Sequence, residues 1–424
     1  MKVKIYPSTP SGSIQIPSSK SLLHRALICA ALAEGESTIY YYSSLSQDIY
    51  ATIEGLKLLK ADFQIFEDKI VVRSNGYKKY NKKVNFSVNE SGSSLRILIP
   101  VFSLIFDETK ISGTKKLFDR PLDIYEEIFK KQKIKFEKNV DSIVFSKGIK
   151  ADTYEIKGNV SSQFISGLLF ALPLLESDSK IIITESFESK SYVDLTIATL
   201  DSFGVKIIEE QSNIYLIKGN QKYINSRFIV EGDYSQMAFF GVLAAINNKL
   251  EIANLRHDSK QGDRVIIDIL EKTKAIVTRI PQGYIIEKNN LCPFEVSIKD
   301  CPDLGPILFV LASTITGESS ICNIERLKLK ESDRIQAMVN NLEKINTSIV
   351  IKDNSAIISK KEIADQEYYF DAYNDHRIFM ALSVLATILP KGAIIEDANC
   401  IKKSYPDFLN DLNKLKIKFS VIEE

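Results

Sequence analysis

Cysteine is scarce, and its placement excludes joint chemistry. The five residues (Cys29, Cys292, Cys301, Cys322 and Cys400) are odd in number and never stand in Cys-x-x-Cys spacing. A disulfide framework and a cysteine zinc site are therefore not expected, and a reduced, cytoplasmic setting is. Only three histidines occur, far apart, so local spacing offers no histidine metal cluster. We expect no metal and no cofactor. Net charge is nearly absent too, at +1. That excludes a general field for nucleic acid or anionic membrane, and any anion must be held by local clusters. Long apolar runs are missing: the longest, Ile97 to Phe106, cannot span a bilayer. The start, Met1-Lys2-Val3-Lys4-Ile5-Tyr6-Pro7, lacks the apolar core of a signal peptide. What remains is an ordinary globular composition, 45% hydrophobic and 26% charged, over 424 residues. This length exceeds the usual ceiling for one hydrophobic core, so two domains are expected.

Internal repetition is the most informative feature. One pattern recurs six times at roughly 70 residues per copy, the size of a small subdomain. Each copy opens with a polar signal, then an apolar helix, an acidic or glycine turn, a strand, a second polar signal, an amphipathic helix and closing strands. The openings are Ser18-Ser19-Lys20-Ser21, Glu90-Ser91-Gly92-Ser93, Val160-Ser161-Ser162-Gln163, Glu231-Gly232-Asp233-Tyr234, Cys301-Pro302-Asp303-Leu304 and Tyr373-Asn374-Asp375-His376. Second helices are expected near Asp48, Pro121, Tyr192, Asp263, Asp333 and Pro406. Taken singly, each opening reads as a helix N-cap. Taken together, equivalent slots of symmetry-related units tend to meet, which gathers helix N-termini suited to phosphate and carboxylate.

Arginine is rare, with eleven residues against 44 lysines. A chain so biased needs arginine chiefly where a planar, bidentate fork matters. Arg25, Arg96, Arg120, Arg334 and Arg377 all fall in or beside the repeat signals. Surface salt bridges suffice for Arg73, Arg227 and Arg279. The ligand class implied by the in-slot arginines is a multiply charged anion, or two anions held together. Acid–base candidates share the slots. Asp303 reads equally as a cap or as a catalytic group. Glu331 lies between Lys330 and Arg334, which favour its ionised form. His376-Arg377 pairs a titratable ring with a permanent cation.

Six ordered motifs resemble the signatures of the EPSP synthase family of enolpyruvyl transferases. They are Ser19-Lys20-Ser21-Leu22-Leu23-His24-Arg25, Asp119-Arg120-Pro121, Ser161-Ser162-Gln163, Lys330-Glu331-Ser332-Asp333-Arg334, Asn374-Asp375-His376-Arg377 and Lys403-Ser404-Tyr405-Pro406. The resemblance implies an α/β (α+β) fold of two similar domains, each of three βαβαββ repeats around a pseudo-threefold axis: an inside-out α/β barrel. Residues 19–231 would form one domain and 1–18 with 232–424 the other, with the active site in the interdomain cleft. The implied reaction transfers the enolpyruvyl group of phosphoenolpyruvate to the 5-hydroxyl of shikimate 3-phosphate. Asp303, Glu331 and Lys20 would be catalytic. Lys20, Ser21, Arg25, Ser161, Ser162, Gln163, Ser189, Tyr192, Asp303 and Lys330 would hold shikimate 3-phosphate. Lys20, Gly92, Arg120, Gln163, Arg334, His376, Arg377 and Lys403 would hold phosphoenolpyruvate. The partners implied are these two small molecules, with no nucleic acid or membrane, and a monomer is expected. Three positions depart from common members: Glu90, where many have Asn; Arg326, where some have Asn; and Lys328, where some have Arg.

The nearest rival is UDP-N-acetylglucosamine enolpyruvyl transferase, which resembles this chain in fold. Its reactive cysteine loop is matched here by Ser112-Gly113-Thr114-Lys115-Lys116-Leu117-Phe118-Asp119, which has no cysteine. It also carries Lys-Asn where this chain has Lys20-Ser21. A noncatalytic phosphometabolite-binding homologue would have lost Asp303 or Glu331, and both are present. An RNA-end-processing enzyme would call for a basic balance that this chain lacks.

Overall fold

The computed structural model describes residues 1–422. Among them stand six four-stranded sheets of one topology. Tyr80–Ser87 runs parallel to Phe106–Ser112, with the helix Gly92–Ile105 as the crossover. After the helix Asp123–Lys131, the hairpin of Phe136–Lys138 and Ser142–Ser146 returns, and Ser142–Ser146 pairs antiparallel with Phe106–Ser112. Numbering strands along the unit, the sheet order is first, second, fourth, third. Every sheet keeps that order: one parallel pair, then two antiparallel ones. This is the βαβαββ unit.

The chain divides into two compact units, Ser18–Val230 and Met1–Pro17 together with the chain from Glu231 onward. The short N-terminal segment supplies two strands to the second unit. Ser13–Gln15 lies parallel to Leu250–Ala253, and Lys2–Ile5 sits between Ala393–Ile395 and Phe419–Ile422. Within the first unit, Arg227–Ile229 at its end pairs with Glu34–Tyr40 near its start. The first unit thus completes one sheet, and the second unit two, with strands far apart in sequence.

Inside the second unit the helices Tyr234–Ile246, Gly305–Ser313 and His376–Ala386 pack on one another, and every residue of each is buried. A helix apolar on all sides needs such surroundings. The sheets alternate apolar-in and polar-out over this core, as in Leu250–Ala253, where Leu250 and Ile252 are buried and Glu251 is exposed. No helix among the described residues is long and apolar enough to cross a membrane.

Four of the six openings cap their helices with a side chain. Ser91 accepts from the Ser94 amide, Ser161 from Gln163, Asp233 from Ser235 and Gln236, and Asp375 from Arg377. The second helices start close to the expected positions, at Gln47, Asp123, Lys190, Ile266, Arg334 and Phe408; a 3-10 turn, Gly262–Val265, precedes Ile266.

One packing device fixes the helix Gly92–Ile105. Pro100 lies in its interior and has no N–H for the carbonyl of Arg96. The hydroxyl of Tyr125 donates to that carbonyl at 2.7 Å, and lies 3.2 Å from the carbonyl of Phe164. Gly167 permits this approach, since a Cβ there would meet Tyr125 Oη at 2.4 Å and the Arg96 carbonyl oxygen at 2.8 Å. A buried hydroxyl chain ties the same helix to its neighbours: His24 Nδ1 to Thr52 (2.7 Å), Thr52 to Ser94 (2.6 Å) and Ser94 to Ser91 (2.7 Å). Burial, then the charges of Lys20 and Arg25, keep His24 neutral.

Candidate active site

In the unit Ser18–Val230 the candidate residues gather at helix N-termini. Gly92 opens its helix beside two arginines. A Cβ at Gly92 would lie 3.0 Å from Arg120 Nη1, 3.4 Å from Arg96 Nη1 and 3.9 Å from Gln163 Oε1. Arg96 donates to Gln163 Oε1 at 2.8 Å, and Gln163 Nε2 donates to Ser93 at 3.0 Å. The Arg96 guanidinium also lies over the ring of Phe164. Lys20, first in its helix, pairs with Asp48 at 2.7 Å. Ser162 is buried in the first turn of its own helix.

Arg25 is buried among neutral partners. It donates to Thr196 Oγ1 (2.8 Å), the Ser21 carbonyl (2.7 Å) and the Tyr192 carbonyl (3.0 Å), with Ser166 Oγ at 3.5 Å. No carboxylate pairs with it among the described residues, and burial pulls its pKa down to about 10. A buried cation without a counter-charge is unfavourable. Ser189 sits just before the helix Lys190–Ser202 in a left-handed conformation (φ 56°), and its carbonyl accepts from the Tyr192 amide at 3.1 Å.

In the other unit the charges interlock. Asp303 Oδ1 accepts from Lys330 at 3.2 Å and Arg334 at 3.1 Å, and Oδ2 accepts from Arg377 at 2.9 Å. Arg334, only 1% exposed, also donates to Asp375 (2.8 and 3.2 Å) and to Glu331 (2.5 Å). Ser332 donates to Asp375 at 3.1 Å, and Lys403 donates to the carbonyl of Asn374 at 2.8 Å. His376 is buried in the first turn of its helix, next to Arg377. Burial alone would raise the Asp303 carboxyl. Arg377, then Lys330 and Arg334, outweigh it and hold the group well below the usual carboxylate range. Burial lowers Lys330 despite Asp303, and Arg334 is raised by Asp375, Glu331 and Asp303 against its own burial.

Asp303, which the sequence offered as a cap, does not stand at an N-cap position; those are Cys301 for its own turn and Leu304 for the following helix. Asp303 lies inside the turn Pro302–Leu304, and neither cap position there or at the following helix bonds through a side chain. No group of His, Cys, Asp and Glu among the described residues has the arrangement to hold a metal ion. Sequence reading missed Asp48 and Asp375 as partners of Lys20 and Arg334, and Ser166 and Thr196 beside Arg25. Asp48 was visible only as the start of a second helix.

The fold defined by these units is that of enolpyruvyl transferases. It superposes on EPSP synthase from Acinetobacter baumannii with a TM-score of 0.81 at 22% identity, covering 99% of this chain and 100% of that one. It also superposes on the enolpyruvyl transferase NikO from Streptomyces tendae, with a TM-score of 0.79 at 13% identity over 99% and 98% of the two chains. Sequence narrows the class. The family model for EPSP synthase (3-phosphoshikimate 1-carboxyvinyltransferase) matches residues 6–412. The 3-phosphoshikimate 1-carboxyvinyltransferase of Clostridium perfringens (strain SM101) is 41% identical over 419 residues, 98% of each chain. The chain belongs to the EPSP synthase family.

Proposed function

We propose that this protein joins phosphoenolpyruvate to the 5-hydroxyl of shikimate 3-phosphate and releases phosphate, in the shikimate pathway toward chorismate and the aromatic amino acids. The observation that carries the site assignment is Asp303, a carboxylate that accepts from three cations, Lys330, Arg334 and Arg377. In the addition step the hydroxyl oxygen bonds to C2 of phosphoenolpyruvate and C3 gains a proton. In the elimination step C3 loses a proton, the C2–O bond to phosphate breaks, and the vinyl ether forms. Both steps call for general acid–base groups. We assign Asp303 to take the hydroxyl proton, and Glu331 and Lys20 to the methylene proton and the developing charges.

In the resting state Asp303 is a weak base, because Arg377, Lys330 and Arg334 stabilise its charge. An anion that engages Arg334 and Arg377 draws part of that positive charge to itself and raises the proton affinity of Asp303. On this reading the bound phosphoenolpyruvate activates its own base. His376 and Lys403 are assigned to the same ligand, together with Lys20, Gly92, Arg120 and Gln163 in the other unit. Ser21, Arg25, Ser161, Ser162, Ser189 and Tyr192 are assigned to shikimate 3-phosphate, with Lys20, Gln163, Asp303 and Lys330. The buried cation of Arg25, paired with no carboxylate among the described residues, supports an anionic ligand there.

We assign residues 19–231 to one domain and 1–18 with 232–424 to the other, in a cytoplasmic monomer. The test is phosphate release from phosphoenolpyruvate with each of two acceptors. Release in equal amount to shikimate 3-phosphate consumed, and none with UDP-N-acetylglucosamine, is expected. The reverse preference would overturn the reading.

A further inference from the structure

The helix Tyr234–Ile246 packs against two turns: Gly262–Val265, which carries Asp263, and Pro302–Leu304, which carries Asp303. Asp263 is 2% exposed. Its Oδ2 accepts from the hydroxyl of Ser235, and its Oδ1 accepts no hydrogen bond among the described residues. The charged groups facing it are Asp303, Arg377 from the helix His376–Ala386, and Asp233 at the cap of the helix Tyr234–Ile246. The thiol of Cys301 faces it as well, and Arg264 follows it in its own turn.

Repetition makes the anomaly visible. Asp48 stands in the same slot of its own repeat, where the second helix begins, and pairs with Lys20 in the first turn of the preceding helix. In the repeat of Asp263 that first turn offers Ser235, a neutral hydroxyl. A buried carboxylate with one neutral hydrogen bond disfavours its charge. Burial first, and the charge of Asp303 second, push the Asp263 carboxyl up to about 7. Asp303 is driven the other way by its cations. Two neighbouring carboxyls pushed apart in this manner share one proton across the working range.

The local charge balance gives that proton a consequence. Lys330, Arg334 and Arg377 interlock with Asp303, Glu331 and Asp375, and Arg326 faces Lys330. Ionised Asp263 would add a second negative charge beside Arg377, which Asp303 already engages at 2.9 Å. We propose that Asp263 is a positioning residue: by holding a proton it confines the charge of the carboxyl pair to Asp303 and keeps a second negative charge away from the anion site at Arg377. The inference rests on the assignment of phosphoenolpyruvate to Arg334 and Arg377. As pH rises Asp263 releases its proton to solvent, and affinity for the anion falls.

The test is kcat/KM for phosphoenolpyruvate at saturating shikimate 3-phosphate, from about pH 5.5 to about pH 9, where ionisations of the enzyme–shikimate 3-phosphate complex appear. Asp263→Asn keeps the shape of the neutral carboxyl and cannot ionise. Relative to this variant, the parent enzyme should lose roughly a further tenfold across an alkaline limb, the scale of one added charge at short range in a partly polar interior. Ser235→Ala removes the donor that favours the ionised form, so it should move the limb to higher pH. A limb unchanged in both variants overturns the proposal. If Asp263→Asn does not fold, the Ser235→Ala shift alone decides. Arg377→Ala separates the two levels of the argument. An unchanged KM for phosphoenolpyruvate in that variant means the ligand assignment has failed. A raised KM alongside an unchanged limb in the other two means that only the role of Asp263 has.

Discussion

Tyr125→Phe probes the device that holds the helix of Gly92 and Arg96. Its hydroxyl is the donor that reaches the Arg96 carbonyl, at 2.7 Å, where Pro100 supplies none. Tyr125 is fully buried, so solvent does not replace the hydroxyl. Phenylalanine keeps the ring and its edge contact with Phe164, so no large cavity forms. The cost is therefore close to that of leaving a buried carbonyl without this donor, roughly 1–3 kcal/mol. The assay is urea unfolding, read as a shift in midpoint with an unchanged slope. A second substitution isolates the cause. Pro100→Ala restores an N–H four residues beyond Arg96, so in the Tyr125→Phe background it should recover part of the loss. The pair should couple by about 1 kcal/mol in a double-mutant cycle. Additivity within ~0.3 kcal/mol would refute the explanation, as would a Tyr125→Phe protein as stable as its parent.

Gly92→Ala should raise KM for phosphoenolpyruvate several-fold, because its Cβ would lie 3.0 Å from Arg120 Nη1 and displace that cation; an unchanged KM places the glycine outside the pocket. Gly167→Ala should be far more damaging, costing ~3 kcal/mol or preventing folding, since the added methyl meets the Arg96 backbone. Asp303→Asn should cut turnover at least ~100-fold. It should also lower stability, as the carboxylate is shared by three cations. Because its folded pKa is depressed, that stability is present at neutral pH and is lost as pH falls below the unfolded value, about 3.9, and through the folded one. Melting temperatures of parent and variant should converge on acidification, and a gap that persists at low pH contradicts the ion-pair account. Asp263→Asn should show the opposite sign. A folded pKa raised to about 7 makes ionisation destabilising, so the variant gains on its parent from about pH 4 upward, by at most ~4 kcal/mol above pH 7. Equal pH dependence of melting in the two proteins would contradict it.

Much of the fold was legible because it is written six times. The openings at Gly92, Ser162, Tyr234 and His376 are helix starts in the structure as in the sequence, where capping side chains and apolar runs are local signals. The strands at Lys2–Ile5 and Ser13–Gln15 are a different matter. Each is too short for its alternation to speak, and its partners lie more than two hundred residues away. The cations of the candidate site were legible from the rarity of arginine. Their partners were not, because Asp48 and Asp375 meet Lys20 and Arg334 through the packing of neighbouring helices rather than through any spacing along the chain. For the same reason Asp303 could be read as a cap until the turn around it was seen. Tyr125 carried no polar signal at all, being one aromatic residue among the buried positions of an amphipathic helix.

The central claim is that the carbon–oxygen bond of phosphoenolpyruvate breaks. Phosphoenolpyruvate labelled with ¹⁸O in the bridge between C2 and phosphorus tests it directly, with shikimate 3-phosphate as acceptor and the released phosphate read by ³¹P NMR. The account predicts that phosphate carries the label away, because C2 parts from the bridging oxygen. Unlabelled phosphate, with ¹⁸O retained on the carbon product, would mean phosphorus–oxygen cleavage and would contradict it.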